Sequence, residues 1–274
     1  MPTAHPEAPI LELDTATLVR AGRRVLEGVS MTLHAGEHSA IIGPNGSGKS
    51  SLVQLLTRDA YPLHRADGPS PIRLFGRERW NVAELRKAFG IVTPELHRRL
   101  VEGAAGRSLR AIDAVVCGAF ASEVLFLHHR VPGELRARAS AALERIGAGH
   151  LADRRLSEMS TGEARRVMIA RAVVHRPAVL VLDEPATGLD PVARRLFLKD
   201  MARLAGQGTT LLLVTHHLEE IVPPIDRVVL LSRGRVAFDG PRVDALTSQR
   251  LSAVFEHPLE VARTGDVYDL RLID

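Results

Sequence analysis

Gly43-Pro44-Asn45-Gly46-Ser47-Gly48-Lys49-Ser50 fits G-x-x-x-x-G-K-[ST], the pattern of a phosphate-cradling P-loop. The short apolar run Ser39-Ala40-Ile41-Ile42 before it reads as a buried strand. After it, Ser51 leads into Leu52, Leu55 and Leu56, which lie at helical spacing. Strand, glycine-rich turn and helix is the context the pattern requires. Glycines let backbone N–H groups curl round an anion without Cβ clashes, and the helix N-terminus adds its positive dipole end. Lys49 is then placed to reach the β- and γ-phosphates of a nucleotide, and the Ser50 hydroxyl to hold Mg2+. Residues 43–51 predict a site for a nucleoside triphosphate.

Composition bounds the setting of that site. The 274 residues are 45% hydrophobic and 25% charged, ordinary for a globular protein with a sizeable core. Lys plus Arg is 36 against 32 for Asp plus Glu, a net charge of +4. The only lysines are Lys49, Lys87 and Lys199, so arginine carries nearly all the positive charge and forms no dense basic tract. No nucleic-acid partner is expected. A single cysteine, Cys117, excludes an intramolecular disulfide and fits a reducing cytoplasm. Met1–Glu7 lacks the charged start and apolar run of a signal peptide. The most apolar long segment, 111–127, is interrupted by Asp113 and Glu123 and falls short of the ~20 apolar residues of a membrane span.

Along the chain, alternation predicts strands at 10–13 and 29–33, with further strands at 72–75 and 89–93 and a short helix at 82–88. Between about 96 and 156 the period changes. Leu109, Ile112, Val116, Ala119 and Phe120 share one helix face, and Leu135, Ala139, Ala142, Leu143 and Ile146 another, with Gly147 as a stop. Strand-like runs return at 178–182 and 210–214, separated by a helix from Pro191 that Asp190 caps. Residues 227–231 and 235–238 flank Arg233-Gly234 as a hairpin, and the tail beyond 251 reads as a last helix and strand. These runs predict an α/β fold.

Many folds carry a P-loop, so the mechanism must come from elsewhere. Asp183-Glu184 closes an apolar run with two adjacent carboxylates. In P-loop proteins such an Asp holds Mg2+ and a neighbouring Glu can polarise an attacking water. A plain polar exit from a strand is the alternative. Met159-Ser160-Thr161-Gly162-Glu163 precedes a helix face of Ala164, Val167, Met168 and Ala172; Ser160 and Gly162 there would aim hydroxyl and N–H groups at an anion. Alternatively, the segment is a simple N-cap with Glu163 completing a capping box.

In combination, P-loop, helical insert, Ser160-x-Gly162, Asp183-Glu184, Gly188-Leu189-Asp190 and Thr215-His216 resemble the ATP-binding cassette (ABC) ATPases over roughly residues 10–240. The resemblance implies a P-loop NTPase (RecA-like) core with an antiparallel β subdomain and an inserted helical subdomain. On this division, 1–95 and 157–250 form the core, 96–156 the helical insert and 251–274 a tail, all within one nucleotide-binding domain. It also implies ATP and Mg2+ as ligands, Asp183 as the Walker B carboxylate, Glu184 as catalytic base, Asp190 in the D-loop and His216 as the switch histidine. His217 beside it is otherwise a polar residue after a strand. The implied assembly is a head-to-tail homodimer with ATP at the interface. It would sit on the cytoplasmic face of the cell membrane and drive integral-membrane permease subunits.

Three departures stand out. The signature reads Met-Ser-Thr-Gly-Glu rather than Leu-Ser-Gly-Gly-Gln, and Glu163 brings a negative charge. The Q-loop glutamine is missing after Ile91-Val92, leaving Glu95 as stand-in contact to Mg2+ or water, or as a plain loop residue. No aromatic residue lies between Asp14 and Arg24 to stack on adenine, so Arg20 would stack through its guanidinium plane. Two rival functions follow: an ABC ATPase acting on nucleic acid or ribosomes, and a nucleotide-gated binder with little turnover. The helical insert from Glu95 to Leu127 is a docking surface for a membrane subunit, or simply core.

Overall fold

The computed structural model describes residues 9–65, 67–103, 109–120 and 131–273. The opening stretch Met1–Glu7 and the 121–127 part of the apolar segment lie outside them. In chain order the elements are β1 (Leu11–Arg20), β2 (Arg23–Leu33), β3 (Ser39–Ile42), α1 (Lys49–Thr57), β4 (Ile72–Leu74), α2 (Val82–Ala88), β5 (Phe89–Val92), α3 (Pro94–Val101), α4 (Ala111–Ala119) and α5 (Gly133–Arg145). After two single 3-10 turns come α6 (Thr161–Val173), β6 (Val179–Asp183), α7 (Pro191–Gly206) and β7 (Thr210–Thr215). A third such turn follows, at Leu218–Glu220, and then β8 (Arg227–Ser232), β9 (Arg235–Pro241), α8 (Arg242–Ala245), α9 (Ser248–Phe255), β10 (Leu259–Thr264) and β11 (Val267–Leu272). The chain forms two compact units, Met1–Val82 with Thr210–Asp274, and Ala83–Thr209.

In the first unit β2, β1 and β4 make a three-stranded antiparallel sheet. β1 and β2 are joined by Ala21-Gly22, both left-handed (φ 47 and 75), as in the tight hairpin turns whose twist matches the strands. β1 extends well beyond the expected 10–13. Register shifts between Leu13 and Val19 break the period of two, which hid its second half in the sequence. Beside this sheet in sequence, β3 pairs in parallel with β7 on one edge and β8 on the other. All residues of β3 and β7 are buried, as strands covered on both faces must be. β8 turns back into antiparallel β9 through Arg233-Gly234, again left-handed at both positions.

The tail departs from its expected single strand: β10 and β11 form a hairpin around Gly265-Asp266. Gly265 has φ +62, and a Gly-Asp pair between short alternating runs is a turn signal. Exposed apolar residues on β11, Val267 and Leu272, blur the alternation that would have marked it.

In the second unit β5 and β6 run parallel, with Phe89 opposite Val179 and Val92 opposite Leu182. α6 is the hub: α3, α4, α5, α7 and β5 all pack on it, and its residues Val167 to Ala170 are completely buried. Close approach is bought with glycine at two points. A Cβ on Gly90 would lie 2.5 Å from the Ala172 carbonyl oxygen, and one on Gly118 would overlap the Arg171 carbonyl. α5 ends where the sequence places its stop. Gly147 (φ +67) and Ala148 donate back to the carbonyls of Glu144 and Leu143, each at 2.9 Å, a Schellman ending. α3 begins slightly before the helical region expected from about residue 96, and Thr93, expected to end a strand, is its cap. The Thr93 hydroxyl accepts from Leu96 N–H, and Pro94 is the first helical residue. Thr-Pro is a start signal, since proline's fixed φ suits the first helical position. Among the described residues no helix is long and apolar enough to cross a membrane.

Gly118→Ala should push α4 away from α6 and destabilise the protein by about 1–3 kcal/mol. Denaturant unfolding measures it, and an unchanged midpoint would contradict the packing described.

Candidate active site

The first unit holds the P-loop and His216. Register places them together: Ile42 is opposite Thr215 on β7 and opposite Leu230 on β8. Gly43, His216 and Leu231 therefore emerge side by side at the same end of three parallel strands. A Cβ at Gly43 would run into the Leu231 carbonyl and lie 2.7 Å from Ser47 Oγ, so only glycine lets the loop turn there. Gly48 is left-handed (φ +106), and a Cβ on it would approach Leu26 Cδ2 and the Val25 carbonyl to 2.7 Å. The loop is also tied from outside. Gly234 N–H donates to the Ser47 carbonyl at 2.9 Å, and the Gly234 carbonyl accepts from Glu27 N–H at 2.8 Å.

Inside this curl lies the Lys49 side chain, only 5% exposed. Its ammonium donates to the carbonyls of Gly43 (2.8 Å) and Pro44 (3.0 Å). Ser47 Oγ is buried and has no hydrogen-bond partner among the described residues. α1 begins at Gly48 without a side-chain cap, while Ser50 is exposed in its first turn and Ser51 is half-buried. A buried cation, an orphan hydroxyl and an uncapped helix start beside a cradle that admits no Cβ fit a polyphosphate. Asn45 and Gly46, at the loop's crest, are exposed.

His216 and His217 follow β7, their ring centroids 4.0 Å apart. His217 N–H donates to Thr215 Oγ1 at 3.0 Å, and its Nδ1 lies 3.6 Å from Glu219 Oε1. Thus His217 belongs to the local turn, and His216 is the one that leaves its strand beside Gly43. Arg20 is exposed at the end of β1, where its guanidinium donates to Gln54 Oε1 of α1 at 3.0 Å. That tether sets the plane on which a base would have to stack.

The second unit holds the carboxylates and the signature. Asp183 is the last residue of β6 and is 6% exposed. Glu184 follows in a left-handed conformation, φ +44, which costs a non-glycine residue about 1–2 kcal/mol. Strain of this kind persists where the surrounding structure imposes it, commonly at reactive sites. The turn from Glu184 closes with Thr187 N–H to the Glu184 carbonyl (3.3 Å) and Leu189 N–H to the Ala186 carbonyl (3.1 Å). Gly188 is left-handed, φ +78. Asp190 then caps α7, its Oδ1 accepting from Val192 and Ala193 N–H, both at 2.9 Å. Arg165, 3% exposed on α6, donates to the Thr187 carbonyl at 3.4 Å and so links the signature helix to this turn.

At the start of α6, Ser160 is the N-cap of a complete capping box with Glu163. The capping-box alternative holds for this segment, with the Ser160 hydroxyl engaged by Glu163. Gly162 sits tightly, since a Cβ there would come 3.1 Å from Ala193 Cβ of α7. Glu163 is held below the usual carboxylate range by the Ser160 N–H above all, then by the Ser160 hydroxyl and the Arg154 guanidinium. Arg154 was not legible as a site residue. It lies nine residues away in sequence, in a loop, and no local pattern marks it.

Glu95 is exposed at the start of α3, with its carboxylate paired to Arg98 (2.7 Å) and lying 3.8 Å from Arg99. To contact a metal it would have to leave those partners. His97 on the same helix is half-buried near Arg165. Burial and that guanidinium push it down to about 4, so it is neutral at pH 7.

Comparisons with known proteins agree on one family. A family model for the ABC transporter domain matches residues 26–187. The ABC transporter ATP-binding protein YlmA of Bacillus subtilis is 35% identical, over 94% of this chain and 95% of its own. The hemin import ATP-binding protein HmuV of Bradyrhizobium diazoefficiens is 34% identical, over 86% of this chain and 85% of its own. Among solved structures, cbiO1 from Clostridium perfringens, part of the ABC transporter complex cbiONQ, superposes with TM-score 0.73 at 28% identity, covering 90% of this chain and 94% of that one.

Because Asp190 caps α7, Asp190→Ala should lower stability by about 1 kcal/mol, whereas Asp190→Asn should keep it. Chemical denaturation separates the two; equal stability of Ala and Asn variants would exclude the cap.

Proposed function

This chain belongs to the ABC transporter family and is an ATP-hydrolysing, ATP-binding component of such a system, and on that premise we propose how its residues share the work. The P-loop, Gly43 to Ser51, wraps the phosphates, with Lys49 on the β- and γ-phosphates. Ser50 and Asp183 hold Mg2+, which when bound neutralises phosphate charge and aligns the terminal phosphoryl group. Glu184 accepts a proton from the attacking water, and His216 donates to the γ-phosphate. Arg20 stacks on the base, and Glu95 is a contact to Mg2+ or water once it leaves Arg98.

The supporting observation is the buried Lys49 ammonium inside a loop whose Gly43 and Gly48 admit no Cβ, at the uncapped start of a helix. No single helix tip surrounds a γ-phosphate with donors, so a second copy supplies Ser160 and Gly162 across a head-to-tail homodimer. Asp190 lies at the same seam. Closing and reopening of that dimer drives integral-membrane permease subunits from the cytoplasmic face of the membrane. The cycle turns over rather than merely gating, because the strained Glu184 is set directly beyond Asp183.

Glu184→Gln should lower kcat by about 100-fold or more while Mg-ATP still binds and the homodimer, seen by sedimentation, becomes longer-lived. Removing Mg2+ with EDTA should abolish turnover of the wild type. Unchanged hydrolysis in Glu184→Gln would remove Glu184 from the base role and support a slow nucleotide-gated binder.

A further inference from the structure

Glu163 is an awkward residue to find at the tip of α6. A carboxylate in the first turn suits the helix dipole, but it repels any anion brought to the same N-terminus. The side chains around it resolve the conflict. Glu163 Oε2 accepts from Ser160 N–H at 2.8 Å and from the Ser160 hydroxyl at 3.0 Å. Glu163 Oε1 accepts from Arg154 Nη1 at 2.7 Å. Arg154 is itself anchored, since its Nη2 donates to the Glu158 carbonyl at 2.7 Å. The guanidinium is therefore pinned against the acid from the 3-10 turn that leads into the helix.

We propose that Arg154 is a positioning residue for ATP hydrolysis, cancelling and aiming the Glu163 carboxylate so that the Ser160-Thr161-Gly162 tip can accept a triphosphate. This rests on the reading that the α6 tip of one copy meets the phosphates bound by another. With Arg154 in place the pair is neutral, and the approaching phosphate meets N–H groups and a hydroxyl rather than a net negative charge. The Ser160 hydroxyl, which now donates to Glu163, can swing its proton to a phosphate oxygen because Arg154 still satisfies the carboxylate. Without Arg154 the same hydroxyl stays the carboxylate's partner, and the tip is negative. Arg154 and Glu163 are partly exposed, with side chains 43% and 25% accessible, and an ion pair in such a setting adds little to stability. Its removal should therefore be felt in catalysis and not in folding.

The full-length homodimer carries the test, through Arg154→Met, Glu163→Gln, the double variant and Ser160→Gly, each assayed for kcat and KM with Mg-ATP and for thermal midpoint. Arg154→Met should lower kcat/KM about tenfold or more at low salt, with the midpoint within ~2 °C of wild type. The defect should shrink as ionic strength rises toward ~0.5 M, since screening hides the uncancelled charge. Glu163→Gln in the Arg154→Met background should recover most of the loss. The proposal is overturned if Arg154→Met behaves as wild type, if the double variant is as impaired as Arg154→Met alone, or if the loss follows the midpoint downward. Ser160→Gly keeps a tolerated cap but removes the hydroxyl. If it is also fully active, the α6 tip does not meet the phosphates and the underlying reading falls. If it is impaired while Arg154→Met is not, only the role of Arg154 falls.

Discussion

The lysine ammonium folded into the curl of its own loop is the interaction around which the first unit is arranged. A positive charge with 5% exposure must be surrounded by oxygen, and the carbonyls of Gly43 and Pro44 supply it. They can do so only because the loop bends back at a glycine wedged against the Leu231 carbonyl. That wedge depends on β3 lying between β7 and β8 in the register that aligns Ile42 with Thr215 and Leu230. The Gly234 N–H from the β8–β9 turn then ties the loop from outside through the Ser47 carbonyl. Sheet topology is thus expressed as the position of one charge, and the same register delivers His216 beside it.

The second unit solves a different problem, how to present polar groups at the ends of buried elements. β6 is fully buried and ends in a carboxylate, and the residue after it takes a left-handed conformation that glutamate adopts reluctantly. The following turn is restrained from both sides: Asp190 caps α7, and Arg165 reaches its carbonyl at Thr187 from α6. Gly162 against Ala193 ties the α6 tip to the start of α7. The α6 tip, the turn after β6 and the start of α7 are therefore linked by direct contacts.

Much of this was legible in the chain before any coordinates. The P-loop, the helix face of α5, the Gly147 stop and the Asp190 cap all rest on interactions within a few residues, and sequence spacing records such interactions directly. The face expected on α4 does not hold, since Leu109 precedes the helix, Phe120 is exposed, and Ala111, Ala114, Val115 and Gly118 are buried instead. The misses share the opposite character. β1 was cut short because bulges erase alternation, although the strand continues through them. The tail hairpin hid because Val267 and Leu272 are exposed on β11 and blur its alternation. The start of α3 was readable from Thr93-Pro94 but was overshadowed by the missing glutamine. Arg154 was invisible because its meaning comes from a carboxylate nine residues on, brought near only by the fold. Family resemblance supplied what spacing could not, the expectation that the separate motifs serve one nucleotide.

The most direct check on the central claim is calorimetric titration of Mg-ATP into the wild type and into Lys49→Ala. Loss of the buried ammonium should weaken binding about 100-fold, roughly 2.7 kcal/mol. Equal affinity in the two proteins would contradict the account, because the loop would then be gripping the phosphates without the charge it is built to hold.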